Sequence, residues 1–291
     1  MSGAAPGGGG VREYPFGEQA VRGHPFDEYV VRWDAAEYAR NSAAQLGWAL
    51  ELIAKLGLTG TESVLDIGCG DGKVTAEIAR RVPRGRVTGV DSSPEMIALA
   101  RSSFPPSGIP NLGFQLGDAR ALDFDGIFDI VFSSATLHWV KEHGPVLNGA
   151  ARSLKRGGRI LFQMGGRGNG AEVFEVAGRM TEDPRWSRWF TGFESPWGFY
   201  GPEEYEPWCR EAGLRPVRIE LLPRTMLQKG AKGLAGWIRT TWMPYTERLP
   251  EDRREAFIRE VVDRYLEGHP PDRDGNVGVA MVRLEVEASR A

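Results

Sequence analysis

The chain has 291 residues, enough for one large α/β domain or two smaller ones, and its 41% hydrophobic and 26% charged composition excludes global disorder. With 36 Lys and Arg against 39 Asp and Glu the net charge is −3, which leaves no global basic field for gripping a phosphate backbone. Two cysteines far apart in sequence, Cys69 and Cys209, give neither a disulfide framework nor zinc-ligand spacing, and no apolar run of about 18 residues or apolar signal core occurs, so the expectation is a cytoplasmic chain with no membrane or nucleic-acid partner.

Residues 1–25 are expected to form a flexible tail, because Met1 to Gly10 is too rich in Gly, Ala and Pro to bury apolar area and the following stretch mixes charge, Pro and Gly. Residues 26–60 are expected to form an N-terminal lid-helix region, in which Tyr38, Leu46, Ala49, Leu50, Ile53 and Leu56 recur at helical spacing over 35–56 until Gly57. Over 61–165 strands at 63–67, 86–90, 112–116, 127–132 and 159–164 alternate with helices at 73–82, 94–103 and 145–154. Such alternation predicts right-handed βαβ units and a parallel sheet covered on both faces. The rhythm breaks after 165. A turn holding Gly165, Gly166, Gly168 and Gly170 leads into residues 186–208, where nine of 23 residues are aromatic. Residues 166–291 therefore carry an inserted aromatic and helical cap, with a strand at 217–222, helices at 234–241 and 253–266, and the alternating Val277, Val279, Met281, Arg283, Glu285 and Glu287 as the strand that ends the sheet.

The stretch that carries chemistry runs Val64, Leu65, Asp66, Ile67, Gly68, Cys69, Gly70, Asp71, Gly72, Lys73, where a buried strand turns into a helix. Its glycines let backbone approach a ligand at the carboxyl end of the first strand. The spacing is G-x-G-x-G. A dinucleotide fingerprint would need glycine at Lys73, and a triphosphate loop would need Ser or Thr at Val74. Asp66 would repel a pyrophosphate but attract an ammonium or sulfonium. Asp91, after the second strand, can accept hydrogen bonds from both ribose hydroxyls, and Asp118, after the third, from an adenine amino group. Acids after three successive parallel strands suit a ligand bearing adenine, ribose and positive charge, which S-adenosyl-L-methionine is. The bland alternative is helix capping and turn chemistry at unrelated strand ends. Cys69, with nothing basic beside it, fills space.

On these residues the chain resembles the class I S-adenosylmethionine-dependent methyltransferases over roughly residues 30–165, with Phe128, Asp129, Ile130, Val131, Phe132 and the turn at 155–158 matching later core motifs. The resemblance implies a Rossmann-like α/β fold, a mostly parallel seven-stranded sheet with helices on both faces and an inserted cap. It also implies S-adenosyl-L-methionine as cofactor, held by Asp66, Gly68, Gly70, Asp91, Ser92, Met96, Asp118, Ala119 and Ser133. Met96 can equally be an ordinary helix-face contact. Within the class the chain is most similar to the trans-aconitate methyltransferases and related small-acid methyltransferases, on Gly89 to Ile97, on Thr136, Leu137, His138 and Trp139, and on Trp237 and the turn with His269, Pro270 and Pro271.

Tyr38, Ser42 and Gln45, at i, i+4 and i+7, either line a lid over the cofactor's methionine end or form a solvated stripe. His138 and Trp139 follow the fourth strand at the rim where a methyl group would be presented, and are the first catalytic candidates. His138 and His143, five apart, are poorly spaced for a metal, and none is expected. Arg239 is a candidate carboxylate clamp, with a surface salt bridge as its alternative. Trp197, Tyr200 and Trp242 are the candidate substrate contacts, whereas Trp186 and Trp189 are expected to pack within the cap. The expected function is O-methylation of a small carboxylic acid. N-, C- or hydroxyl methylation of another metabolite, or a non-catalytic cofactor-binding module, stand as alternatives. A carboxylate needs no general base, whereas a phenol, amine or carbon would make His138 one.

Overall fold

The computed structural model describes residues 43–291, and side chains from residue 46 onward. The short aliphatic runs of the first half become parallel strands β1 (Ser63–Ile67), β2 (Arg86–Asp91), β3 (Leu112–Leu116), β4 (Phe128–Ser134) and β5 (Leu154–Gly165). Two longer strands follow, β6 (Leu214–Lys229) and β7 (Asn276–Arg290). They form one seven-stranded sheet in the order β3-β2-β1-β4-β5-β7-β6, with β7 antiparallel to both neighbours. The final strand of the sequence is thus internal, and β6 takes the edge.

Helices α1 (Ala43–Ala54), α2 (Lys73–Arg81) and α3 (Pro94–Ser103) cover one face, burying Leu52, Ile53, Ile78 and Ile97 against Val64, Val87, Ile130 and Phe132. The other face is covered by α4 (His143–Ser153) and α6 (Pro202–Glu211), over Leu65, Ile67, Val131, Phe162, Leu284 and Val286. Local sequence sets the helix starts. Ser93 caps α3, its Oγ accepting the Met96 N–H at 3.2 Å ahead of Pro94, and Gly72 opens α2 at φ +81°.

The cap is built from two separate stretches. Helix α5 (Ala171–Glu182) and a turn at Ser187–Trp189 lie between β5 and β6, while α7 (Gly230–Thr241), α8 (Met243–Thr246) and α9 (Glu251–Gly268) lie between β6 and β7. Between those stretches the chain returns to the sheet as α6. Neither α5 nor α6 is foreseen in the sequence reading, and β6 is ten residues longer than the six at 217–222. β7 pairs with β5 only from Arg283 to Ser289 but with β6 along its whole length, so half of the β6–β7 ribbon projects past the sheet. That half carries the cap, whose core joins Val173, Met180, Trp186, Phe190, Leu234, Trp242, Phe257, Val277, Val279 and Met281. Among the described residues no helix is long and apolar enough to cross a membrane.

Candidate functional site

At the carboxyl end of β1 the chain turns at Gly68, with φ +73°. The Gly68 and Cys69 N–H groups both donate to the Val90 carbonyl, at 2.7 and 3.1 Å, which ties the loop to β2. Thr136, after β4, donates from Oγ1 to the Gly68 carbonyl at 3.0 Å, and a Cβ at position 68 would overlap the Thr136 side chain. Gly70, φ +51°, is different in kind. A Cβ there would meet nothing within 4 Å among the described residues, so its backbone borders open space between them. Its N–H donates to Asp91 Oδ2 at 2.9 Å, and the Ser93 N–H donates to Asp91 Oδ1 at 2.9 Å, so one carboxylate spans the glycine loop and the start of α3.

Two acids stand behind this loop. Asp66 is 2% exposed, its Oδ2 accepting the Thr75 hydroxyl at 2.7 Å. Burial pushes its carboxyl up to about 7, with Thr75 pulling down and the charge of Asp91 adding to the rise. Burial also raises Asp91, against the Ser93, Gly70 and Ser92 N–H groups. Among the described residues neither acid is in an ion pair; their bonds come from a hydroxyl and backbone N–H groups. Such a site favours a cation. Asp118 follows β3 as predicted, but it caps the turn at Ala119–Ala121 and pairs with the Arg120 guanidinium at 2.7 Å. Ala119 and Asp118 are half-buried, Ser92 exposed and Met96 buried. Ser133 is fully buried, and its hydroxyl donates to the Ile67 carbonyl at 2.8 Å, bracing the end of β1 rather than facing a ligand. Tyr38 and the side chain of Gln45 lie outside the described residues.

The opposite rim begins at Ala135, a non-glycine residue at φ +57° whose N–H donates to the Gln163 carbonyl at 2.8 Å. This kink sets Thr136 against Gly68 and starts the tight turn Leu137–Trp139. His138 Nδ1 faces the Gly165 N–H at a long 3.4 Å, and its ring stacks on Phe199 with centroids 6.1 Å apart. Burial, then the charges of Arg283 and His143, push the imidazole down to about 3. Trp139 meets Trp197 edge-on at 5.4 Å, Phe174 lies 5.0 Å from Trp197, and Phe174 stacks on Trp242 at 4.5 Å. An aromatic wall therefore joins the rim to the cap.

Three sequence-predicted residues are placed otherwise. Arg239 is engaged by Glu255 of α9 through two bonds of 2.7 and 2.8 Å, the surface salt bridge that is its alternative reading. Tyr200 turns to the α4 and α6 side of the sheet, its ring against His143 and Trp208 and its hydroxyl donating to the Lys141 carbonyl at 2.8 Å. Trp242, 1% exposed, belongs to the cap core. Conversely, the sequence reading passed over Arg283, whose buried guanidinium donates from Nη1 to Gln163 Oε1 at 2.9 Å and lies 3.7 Å above the Trp48 ring. The signal was there: charges at Arg283 and Glu285 stand in the inward register of an otherwise apolar alternation.

A family model described as a methyltransferase domain matches residues 64–158, the segment that carries the glycine loop, Asp91, Asp118 and the His138 turn. An uncharacterized methyltransferase of Schizosaccharomyces pombe is 30% identical over 236 residues, covering 79% of this chain and 87% of that protein. The chain belongs to the class I S-adenosylmethionine-dependent methyltransferases. A trans-aconitate 2-methyltransferase of Methylobacterium nodulans is 29% identical to this methyltransferase over 264 residues, covering 89% of this chain and 98% of that protein. In fold it is similar to phosphoethanolamine N-methyltransferase 2 of Haemonchus contortus, solved in complex with S-adenosyl-L-methionine, with a TM-score of 0.56 at 18% identity, covering 88% of this chain and 56% of that one. S-adenosylmethionine is the cofactor of this methyltransferase, and the donor set fits it: buried Asp66 and half-buried Asp91, in no ion pair among the described residues, beside a glycine with room for a ligand among them.

Proposed function

We propose that this methyltransferase esterifies a small organic acid at a carboxylate oxygen, with a trans-aconitate-like acid as the type of acceptor. In this reading Asp66, Gly68 and Gly70 hold the cationic methionine end of the cofactor, Asp91 with Ser92 the ribose, and Met96, Asp118 and Ala119 the adenine. His138, Trp139 and Trp197 face the acceptor. Bound S-adenosylmethionine supplies an electrophilic methyl group on a sulfonium. The protein aligns an oxygen with that methyl and excludes water through the aromatic wall.

One observation carries the choice of a carboxylate. An imidazole held near 3 is neutral at pH 7 and too weak a base to take a proton from a phenol or an ammonium. A carboxylate, with a solution pKa near about 4, is already the anion and needs no base. With Nδ1 turned to the Gly165 N–H, the proton of neutral His138 is on Nε2, where it donates to an acceptor oxygen. The Methylobacterium relative, spanning most of both chains, supports the same class.

The test is methyl transfer from methyl-labelled S-adenosylmethionine to a panel of mono-, di- and tricarboxylates, phenols and amines. Label that mild base releases as methanol establishes an ester and is the expected result. Label that stays fixed in base moves the reaction to nitrogen, carbon or an ether oxygen and overturns the proposal.

A further inference from the structure

We infer that His143 and Tyr205, a buried pair on the α4 and α6 side of the sheet, are positioning residues for methyl transfer: through the Val140 carbonyl they hold the turn that presents His138 and Trp139. The inference rests on the reading above that this turn faces the acceptor, and not on which acceptor atom takes the methyl. The turn straddles two cores. Leu137 is buried with Tyr205 and Met164 under α4 and α6, whereas Trp139 packs on the cap core. Three carbonyls at and just after the turn are held. That of His138 accepts the Gly198 N–H at 2.9 Å, that of Val140 accepts from His143 Nε2 at 2.7 Å, and that of Lys141 accepts the Tyr200 hydroxyl at 2.8 Å. The fit is close, for a Cβ on Gly198 would lie 3.0 Å from the Val140 oxygen and 2.6 Å from the Tyr200 ring. Trp197 and Phe199, which flank Gly198 and line the aromatic wall, are therefore registered against the same turn.

The bonding of His143 fixes its state. A carbonyl only accepts, so the ring proton is on Nε2, and Nδ1 is left to accept the Tyr205 hydroxyl. Burial pushes the imidazole below its ordinary value, against the Val140 and Leu137 carbonyls and the charge of Glu142, so the neutral ring is the form at pH 7. That ring is 2% exposed, with Tyr200 edge-on at 4.8 Å, Tyr205 edge-on at 5.3 Å and Trp208 at 5.9 Å. Tyr205, 1% exposed, comes from α6, and the Met164 sulfur lies 3.1 Å from its hydroxyl as a weaker acceptor. A chain of hydrogen bonds thus runs from α6 through Tyr205 and His143 to Val140, one residue past Trp139. It approaches the turn from the side away from the cap, so it acts on His138 and Trp139 through the backbone.

The experiment uses the full chain as wild type, Tyr205→Phe, His143→Gln and His143→Leu, with whichever acceptor of the panel above wild type methylates fastest. The readouts are kcat, acceptor KM, the Kd for S-adenosylmethionine, a melting curve, and the nitrogen spectrum of protein labelled at its histidine rings, with His143 assigned by its substitution. Displacing a reacting group by about 1 Å corresponds to about a hundredfold in rate, so Tyr205→Phe and His143→Leu should lower kcat by about tenfold to a hundredfold with the cofactor Kd unchanged. His143→Gln should recover much of that loss, because its amide still donates to the Val140 carbonyl. A role in packing alone ranks the two the other way, since an apolar side chain is the less costly one to bury. Wild-type His143 should appear neutral with its proton on Nε2, and a proton on Nδ1 overturns the inference. If His143→Leu fails to fold, Tyr205→Phe decides: wild-type kcat well below its melting temperature, or a loss that follows the cofactor Kd, overturns the inference. So does a His143→Gln no faster than His143→Leu. Base-stable label on the product overturns ester formation alone and leaves the positioning role to these kcat ratios. A panel in which wild type methylates nothing overturns both.

Discussion

In the proposed cofactor site, Asp66 ties binding to a proton. In the free protein its carboxyl titrates at about 7, because burial disfavours the charge. A sulfonium or ammonium beside it favours the charged form and pulls the value down, so binding near neutral pH expels a proton. S-adenosylmethionine affinity should therefore rise as pH increases through about 7 and level off above it. Titration calorimetry at pH 6.5 in buffers of different ionisation enthalpy checks this: the observed heat should change with the buffer for wild type and not for Asp66→Asn. Buffer-independent heats for wild type would remove Asp66 from the cation site. The sign for stability is opposite. Between about 4 and 7 the folded chain keeps a proton on Asp66 that the unfolded chain has lost, so this group makes the cofactor-free protein less stable as pH climbs through that window.

The proposed cofactor site depends on two turns gripping each other, the glycine loop after β1 and the kink after β4. Gly68 is fixed twice, by φ +73° and by Thr136 against its α-carbon. Ala135, at φ +57°, makes that approach possible while holding an unfavourable conformation for an L residue. Gly68→Ala should then weaken cofactor binding by about tenfold or more, since the new methyl forces apart loop and turn and shifts the N–H groups that hold Asp91. Ala135→Gly, which meets the same φ without strain, should leave cofactor affinity intact and change stability by no more than about 1 kcal/mol. Dialysis against labelled cofactor and melting curves on both variants measure this, and wild-type affinity in Gly68→Ala would show that the loop is not clamped. Sequence made the loop legible because every demand on it is local: glycine where φ is positive, an acid where each strand ends. The same is true of β1, α3 and β3, whose bounds are local matters of aliphatic runs and a Ser-Pro cap. Long-range facts were not legible. Pro207 inside α6, and only Tyr205 and Cys209 as its buried residues, hide that helix from any periodicity. Pro216 and Pro223 make β6 read as short, although an edge strand tolerates them. Arg239 and Arg283 are alike as sequence, and only folding gives one to Glu255 on the surface and the other to Gln163 in the interior.

At the scale of the whole molecule, β7 joins the cap to the cofactor-binding sheet. Its first half buries Val277, Val279 and Met281 in the cap core, and its second half buries Leu284, Val286 and Ala288 on the opposite face, under α4 and α6. Between the two, Arg283 and Glu285 continue the register of the cap side as a polar layer that meets Trp48 of α1 and Lys55 just after it. A strand cannot leave one core without leaving the other, so cap and sheet should unfold together. Trp242→Ala tests this from the cap side. Removing a fully buried Trp stacked on Phe174 should cost about 3–5 kcal/mol, and lower the melting temperature by roughly 10 °C. Calorimetry should still show a single transition for the variant, with cofactor affinity unchanged below it, because β4 and β5 separate Asp66 on β1 and Asp91 on β2 from β7. The acceptor's KM should rise, since Phe174 supports Trp197 and Phe199 in the wall. Two resolved transitions, the lower one moved by Trp242→Ala and the upper one by cofactor, would instead make the cap a separate folding unit and the shared strand a hinge.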